Sequence, residues 1–427
     1  MSDWVYRLGH ALLNQTIRLY YRRIEVVGGE RIPAWGPAIL VANHPNSAAD
    51  AFLLASELTP RRVNFLAKDT ITRAPVVGPL LRRFGVVGVA RAMDYDRQRD
   101  VARERNKAAL STCVPRLVAG ELLAIFGEGV STDARRLQMI RKGAMRFGYS
   151  AEREANFQLD LQWIPIGINY SAKHHFRSDV LIQVGETFRL RDLDPEQTAP
   201  EAEILQRGTA RLQRAVESLT VNIEREELAD LIDRLADLVA SPAGSLSARL
   251  EAHQRVVRAV QYFNSTEPLR IAEMEQALRP YQGRLAAAGL TDEVIRRRHP
   301  ALAVQASLLG LLKSSGWILL SFYGWANSFV PRWGAYLVGP LGRRRVSAPN
   351  PAGSGPRVEL AGQALWGIYG GWAGATVAFP LQIYLVYSWA AAKHGLMTAV
   401  AFSAFYGLSL IPSWRLYIRR REIFRQH

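Results

Sequence analysis

Residues 41–52 read VANHPNSAADAF, an imidazole and a carboxylate six positions apart with small residues between them. Such a pair has a specific chemical use. A neutral histidine takes a proton from an alcohol as the alcohol oxygen attacks an acyl carbon. A carboxylate on the other ring nitrogen fixes the tautomer and stabilises the imidazolium that forms. No serine or cysteine nucleophile is needed when the substrate brings the hydroxyl. The flanks suggest how His44 and Asp50 meet: AILVA before them reads as a strand and AADAFLLASEL as a helix. Ser47 and Asp50 have the S-x-x-D form of a capping box, which puts Ser47 at the N-cap and Asp50 in the first turn. His44 then lies in a tight loop stiffened by Pro45.

Three further stretches carry groups of the same kind. GVVGVAR ends a strand at Arg91, whose guanidinium fork suits a phosphate. LLAIFGEGVS runs a buried strand into Gly127-Glu128-Gly129, where glycine lets the backbone turn sharply. Glu128 there is placed to accept from substrate hydroxyls or to hold Arg91. RKGAMRFG begins a helix whose positive end, with Arg141 and Lys142, suits an anion. WIPIGIN reads as a strand in which Pro165 indicates an edge or a bulge. His174 and His175 lack the carboxylate–histidine spacing of a metal site, and Cys113 is the only cysteine, so neither a metal nor a disulfide is expected.

The elements that must position these groups follow from pattern. IEVVG, AILVAN, RVNFLA, GVVGVA, LLAIFG, LQWIPIGIN and VLIQVG read as strands, with helices over 50–58, 97–118 and 140–152. Alternation of this kind indicates an α/β sheet over residues 24–200. Residues 1–23 read as an amphipathic helix, either packed on the domain or lying at a membrane interface, where Trp4, Tyr20, Tyr21 and the Arg22–Arg23 pair would fit. Residues 201–300 read as a helical segment with solvated charged faces and no chemistry of its own.

Residues 301–427 read as a membrane region. The stretches 365–389 and 395–414 carry no charge, and each is long enough to cross a hydrocarbon core of ~30 Å. Residues 302–330 are interrupted near the middle by Lys313, which costs roughly 2.5–3.5 kcal/mol at the bilayer centre. A re-entrant hairpin there keeps the arginine clusters 296–298, 343–345 and 419–421 on one, cytoplasmic, side. The chain of 427 residues has a formal net charge of +16, and only six of its cations are lysines. That balance suits anionic partners: nucleic acid, lipid head groups or phosphorylated metabolites. A nucleic-acid-binding protein would interleave aromatics with its arginines, whereas Trp366, Tyr369, Trp372, Tyr384 and Trp389 sit in an uncharged stretch. An inactive membrane scaffold is the other alternative of a different class.

Taken together, NHPNSAAD, GVVGVAR, FGEGVS and WIPIG resemble, in order and spacing, the four motif blocks of the glycerolipid acyltransferase superfamily. The resemblance covers roughly residues 20–190 and looks closest to the glycerol-3-phosphate/dihydroxyacetone-phosphate acyltransferase branch. It implies a mixed sheet flanked by helices, followed by the helical segment and C-terminal membrane helices. It implies His44 as general base, Asp50 as its orienting carboxylate, and Arg91 on the acceptor phosphate. Glu128 and Gly129 would complete the acceptor site, and Pro165 would shape the acyl channel. The implied reaction moves an acyl group from acyl-CoA or acyl carrier protein to the sn-1 hydroxyl of glycerol-3-phosphate, or to dihydroxyacetone phosphate, with no cofactor. The implied setting is anionic membrane lipid at the cytoplasmic face, without nucleic acid. A 1-acylglycerol-3-phosphate acyltransferase making phosphatidic acid is the alternative within the class. Two departures stand out: five residues separate His44 from Asp50 where the common pattern has four, and Gly127 replaces a proline.

Overall fold

The computed structural model describes residues 3–288, apart from 59–60, 76, 91–98, 133, 174, 176, 197 and 242–243, and further on 327, 379–389, 391, 397 and 400–410. All seven segments read as strands are strands: β1 (Arg23–Val27), β2 (Ala38–Ala42), β3 (Val63–Lys68), β4 (Val86–Val89), β5 (Leu122–Phe126), β6 (Gln162–Tyr170) and β7 (Asp179–Val184). They form one sheet in the order β1-β7-β6-β2-β5-β3-β4. β6, β2, β5, β3 and β4 run parallel to one another. β7 is antiparallel to β6, and β1 is parallel to β7, so the sheet is mixed.

The helices in chain order are α1 (Asp3–Tyr20), α2 (Ala48–Leu53), α3 (Asp69–Thr72), α4 (Val77–Arg83), α5 (Arg99–Val118), α6 (Gly143–Glu154), α7 (Glu201–Ser218), α8 (Ala229–Val239), α9 (Leu246–Thr266) and α10 (Pro268–Ala287). A π-helical turn, Leu54–Leu58, continues α2. The unbroken apolar runs AILVA and LLAIF are what a sheet covered on both faces requires. Ile39, Val41, Leu123, Ile125 and Trp163 pack on one face, against Cys113 and Leu117 of α5, Met145 and Phe147 of α6, and Leu212 and Val216 of α7. Leu40 and Ala42, pointing the other way on the pleat, are equally enclosed.

Of the two settings expected for Pro165, an edge or a bulge, the structure shows the bulge. β6 is central, and Pro165 is level with Val41 of β2. The ladder to β7 resolves the conflict with a bulge. Ile166 pairs with Val184, but three residues back Trp163 pairs with Phe188, four residues on. One extra residue therefore bows out opposite Pro165, where no N–H is available to bond. The Pro165 carbonyl still accepts from Gly185 N at 2.8 Å.

At the other end of the chain, α1 packs on the domain. His10 Nε2 is 2.9 Å from the Ala55 carbonyl, Asn14 donates to the Ser56 carbonyl at 3.0 Å, and Arg18 pairs with Glu57. Tyr20 and Tyr21 are buried, and Arg22 forms a bidentate pair with Asp179. The two tyrosines are thus enclosed in the domain, and Arg22, though exposed, is held by Asp179.

Two compact units are distinguished. Among the described residues, the first comprises 3–233 and 245–259; the second comprises 234–244, 260–288 and the described residues from 327 onward. Of the proposed re-entrant stretch 302–330 all but 327 lies outside the described residues, as do 365–378 of 365–389 and 395–396, 398–399 and 411–414 of 395–414. Residues 379–389 and 400–410 are helical. No helix among the described residues is long and apolar enough to cross a membrane.

Trp163 is fully buried where β6 meets α6, close enough that a Cβ on Gly148 would come within 2.3 Å of its ring. Truncation of that ring leaves a cavity, so Trp163→Ala is expected to lose about 3–5 kcal/mol in urea unfolding.

Candidate active site

One row of paired residues crosses the parallel part of the sheet: Ile164, Leu40, Ala124, Phe65 and Val86. Four residues further along these strands stand Ile168, His44, Glu128, Asp69 and Ala90. The register therefore brings His44 and Glu128 to the same carboxyl edge, two strands that are neighbours in space but 84 positions apart in sequence. That edge is where ligands bind in open α/β sheets. Asn43 fixes the end of β2 by exchanging two side-chain bonds with the backbone of Ile168, at 3.0 and 2.8 Å.

His44 Nδ1 lies 2.9 Å from Asp50 Oδ2. The carboxylate is completely buried and the imidazole is 18% exposed. The ring stacks on Phe126, with centroids 3.9 Å apart and planes within 11°. Nε2 has no hydrogen-bond partner among the described residues, so the ring offers one engaged nitrogen and one open to a substrate.

The extra residue between His44 and Asp50 is taken up at Ser47, whose φ is 50°. With Ala49 N on the Asn46 carbonyl at 3.1 Å, Ser47 occupies the position of a tight turn that glycine favours. Ser47 is the N-cap as expected, but its side chain makes no cap bond. The expected capping box does not form. Asp50 turns back instead to His44 and to Asn46 N at 2.8 Å, while Ser47 N donates to Ser131 Oγ at 3.0 Å. A buried carboxylate needs several donors, and three are within reach only in this direction. The third is Tyr170, whose hydroxyl donates to Asp50 Oδ1 at 2.6 Å.

Glu128 is buried, and both its oxygens are occupied by backbone donors, His44 N at 2.6 Å and Gln138 N at 2.8 Å. Burial pushes its carboxyl above the ordinary 4.5, with those two bonds pulling the other way. It acts in this structure as a strut beneath the histidine loop. Gly127 N donates to the Ala42 carbonyl at 2.9 Å, a bond a proline there would forfeit. Gly129 has φ 70° and lies against the Arg141 side chain. Arg141 N donates to the Gly127 carbonyl at 2.9 Å, which sets Lys142, exposed at the N-cap of α6, beside the turn.

The helical segment, in which the sequence showed no chemistry, holds the loop after β5. Ile140 N donates to Gln213 Oε1 and Leu137 N to Asn222 Oδ1, both at 2.7 Å. Arg135 forms a bidentate pair with Asp233 at 2.6 and 2.5 Å, and His253 lies 3.3 Å from the same carboxylate. Burial alone would raise the Asp233 carboxyl, but hydrogen bonds from His253 and Arg135 outweigh it and hold it at about 2.

Of the residues singled out by sequence, His44, Asp50, Glu128, Gly129 and Lys142 gather at one edge. Pro165 is buried within β6, one residue before the level of Ala42. Arg91, next after Ala90, lies outside the described residues. Sequence reasoning missed Asn43, Asn46, Ser131 and Tyr170. Asn43 adjoins the histidine and ends a strand, which was a usable signal; Tyr170 had none, because only the sheet brings it to Asp50. Cys113 is buried, and burial pushes its thiol up to about 12, which leaves no thiolate nucleophile there.

Residues 23–169 match the family described as Acyltransferase. Glycerol-3-phosphate O-acyltransferase 1 of Saccharomyces cerevisiae is 20% identical over 376 residues, covering 68% of this chain and 49% of the relative. Lyso-ornithine lipid O-acyltransferase of Brucella abortus is 28% identical over 173 residues, covering 40% of this chain and 59% of the relative. The chain thus spans about half of the yeast relative and three-fifths of the Brucella one. A crystal structure of the 1-acyl-sn-glycerophosphate (LPA) acyltransferase of Thermotoga maritima is 18% identical, with a TM-score of 0.37, over 51% of this chain and 83% of that one.

Two outcomes are expected from this geometry. Ser47→Gly relieves a positive φ and should raise stability by up to about 1 kcal/mol in urea unfolding, whereas Ser47→Val should lower it. Glu128 binds its proton more tightly folded than unfolded, so its contribution to stability falls as pH rises through the window that opens at 4.5. The stability of the native protein relative to Glu128→Gln should therefore decline from pH 4.5 upward; a difference independent of pH would contradict the assignment.

Proposed function

With residues 23–169 in the acyltransferase family, we propose that the chain is a membrane-bound glycerolipid O-acyltransferase that uses His44 as its general base. The observation that carries this is the His44–Asp50 pair: Nδ1 on a fully buried carboxylate at 2.9 Å, Nε2 open. The acceptor hydroxyl gives its proton to Nε2 as its oxygen attacks the thioester carbonyl. The tetrahedral intermediate then collapses, the C–S bond breaks, and the leaving thiolate takes the proton from the imidazolium. Asp50 stabilises the imidazolium between these two steps. Arg91 and Lys142 would meet phosphate groups of acceptor or donor, acyl-CoA or acyl carrier protein. No step calls for a metal or a cofactor.

Glycerol-3-phosphate, acylated at the sn-1 hydroxyl, is the acceptor we favour; dihydroxyacetone phosphate shares its phosphate and its free hydroxyl. The alignment to the yeast glycerol-3-phosphate O-acyltransferase extends over 68% of the chain, well past the 23–169 domain, and supports this reading. The Brucella relative, named for a lysolipid acceptor, favours the second one: acylation of a lysolipid such as 1-acylglycerol-3-phosphate. The membrane setting is supported by exposed Leu381, Tyr384, Leu385 and Trp389, and by Phe402, Phe405 and Leu408, on the helical residues 379–389 and 400–410. The arginine clusters that flank these stretches favour a cytoplasmic catalytic domain.

Membranes carrying the protein, given labelled oleoyl-CoA and each acceptor in turn, should label lysophosphatidic acid from glycerol-3-phosphate. Labelling only with a lysolipid acceptor would move the assignment to the second reading. His44→Ala should lose about a thousandfold or more in kcat while remaining in the membrane fraction; full turnover in that variant would end the proposal.

A further inference from the structure

Asp50 has two carboxylate oxygens, and the His44 loop uses only one. Oδ2 takes His44 Nδ1 at 2.9 Å and Asn46 N at 2.8 Å. Oδ1 takes one bond, from the hydroxyl of Tyr170 at 2.6 Å. Tyr170 closes β6, 120 positions away in sequence. Burial, and then the charge of Asp50, raise its phenol well above the ordinary 10.0, so it remains a donor throughout the working pH range. Tyr21, also buried, backs it with ring centroids 5.8 Å apart. Asn46 Nδ2 lies 3.5 Å from the Tyr21 hydroxyl and 2.9 Å from the Lys173 carbonyl.

We infer that Tyr170 is a positioning residue that governs His44 through Asp50. A carboxylate bonded on one oxygen alone can swing about its Cβ–Cγ bond. A bond on each oxygen, from different elements, fixes its plane and keeps Oδ2 on Nδ1. The same donor draws negative charge towards Oδ1 and away from the imidazole. Among the described residues, Glu128 and Lys173 are the other charged groups near the ring. Glu128 faces the His44 backbone N–H, Phe126 covers the ring face, and Lys173 Nζ is directed at the Pro45 and Thr132 carbonyls, at 3.1 and 3.3 Å.

Loss of the hydroxyl therefore has two consequences. Asp50 Oδ1 becomes a buried acceptor without a donor, so fewer molecules hold the imidazole in its productive orientation, and kcat falls by about tenfold. The full carboxylate charge also faces the imidazolium, so His44 loses its proton at higher pH. In Tyr170→Phe the acid limb of the kcat/KM profile and the His44 titration midpoint, read by 15N-imidazole NMR on the full chain, both move up by about half a unit or more. 3-Fluorotyrosine at position 170, a stronger donor, moves the midpoint down. That second variant keeps the question answerable if Tyr170→Phe folds poorly.

A double-mutant cycle separates this role from a merely structural one. Tyr170→Phe should cost far less in an Asp50→Asn background than in the native protein, because the path through the carboxylate is already broken. An unmoved midpoint in both position-170 variants, or equal kinetic costs in both backgrounds, overturns the inference. The kinetic arm rests on the acyl-transfer reading and the titration does not. If the native chain transfers no acyl group to any acceptor while the midpoint still moves as stated, that reading fails and the role of Tyr170 stands.

Discussion

A carboxylate with no exposure to water must be given donors by the protein, and Asp50 is such a carboxylate. Its three donors come from His44 Nδ1, Asn46 N and Tyr170 Oη. Meeting that demand dictates much of the surrounding structure. It turns Asp50 away from the helix end it was expected to cap, and it accounts for the unusual backbone at Ser47. It also ties α2 to the last residue of β6. The imidazole inherits a fixed orientation and tautomer from a group whose own orientation is over-determined.

The second buried carboxylate, Glu128, supports the other side of the same loop. Its bonds to His44 N and Gln138 N link the end of β2 to the segment after β5. That segment is held in turn by Gln213, Asn222 and Asp233 from the helical part of the chain. The helices that carry no candidate site residue of their own thus restrain the loop that bears on His44. A rigid sheet edge, two buried acids and a braced loop together leave a single ring nitrogen open. Such an arrangement suits one proton transfer made repeatedly in the same place.

The alternation of short apolar runs with helical stretches was enough to locate all seven strands and to name the fold class. Local pattern also placed His44 in the β2–α2 loop and Glu128 in the β5 turn. It left Pro165 between an edge and a bulge, because a proline within a strand allows either until the partner strand is known to bulge opposite it. It left Tyr20 and Tyr21 open between packing on the domain and a membrane interface for a related reason. Aromatics beside arginines resemble a membrane-interface belt, and only packing shows that these two are enclosed.

What the sequence settles by itself is what depends on neighbours along the chain: strand and helix periodicity, the sharp glycine turns, and the ordered motif blocks with their histidine, carboxylates and cations. What only the tertiary structure decides is which distant groups share one buried point. Tyr170 lies 120 positions from Asp50, and Glu128 lies 84 from His44. Their meeting follows from strand order and register, which set each strand's end level with its neighbours'. No short-range pattern encodes that registry, because it is fixed by sheet pairing and by the need to satisfy charges removed from water.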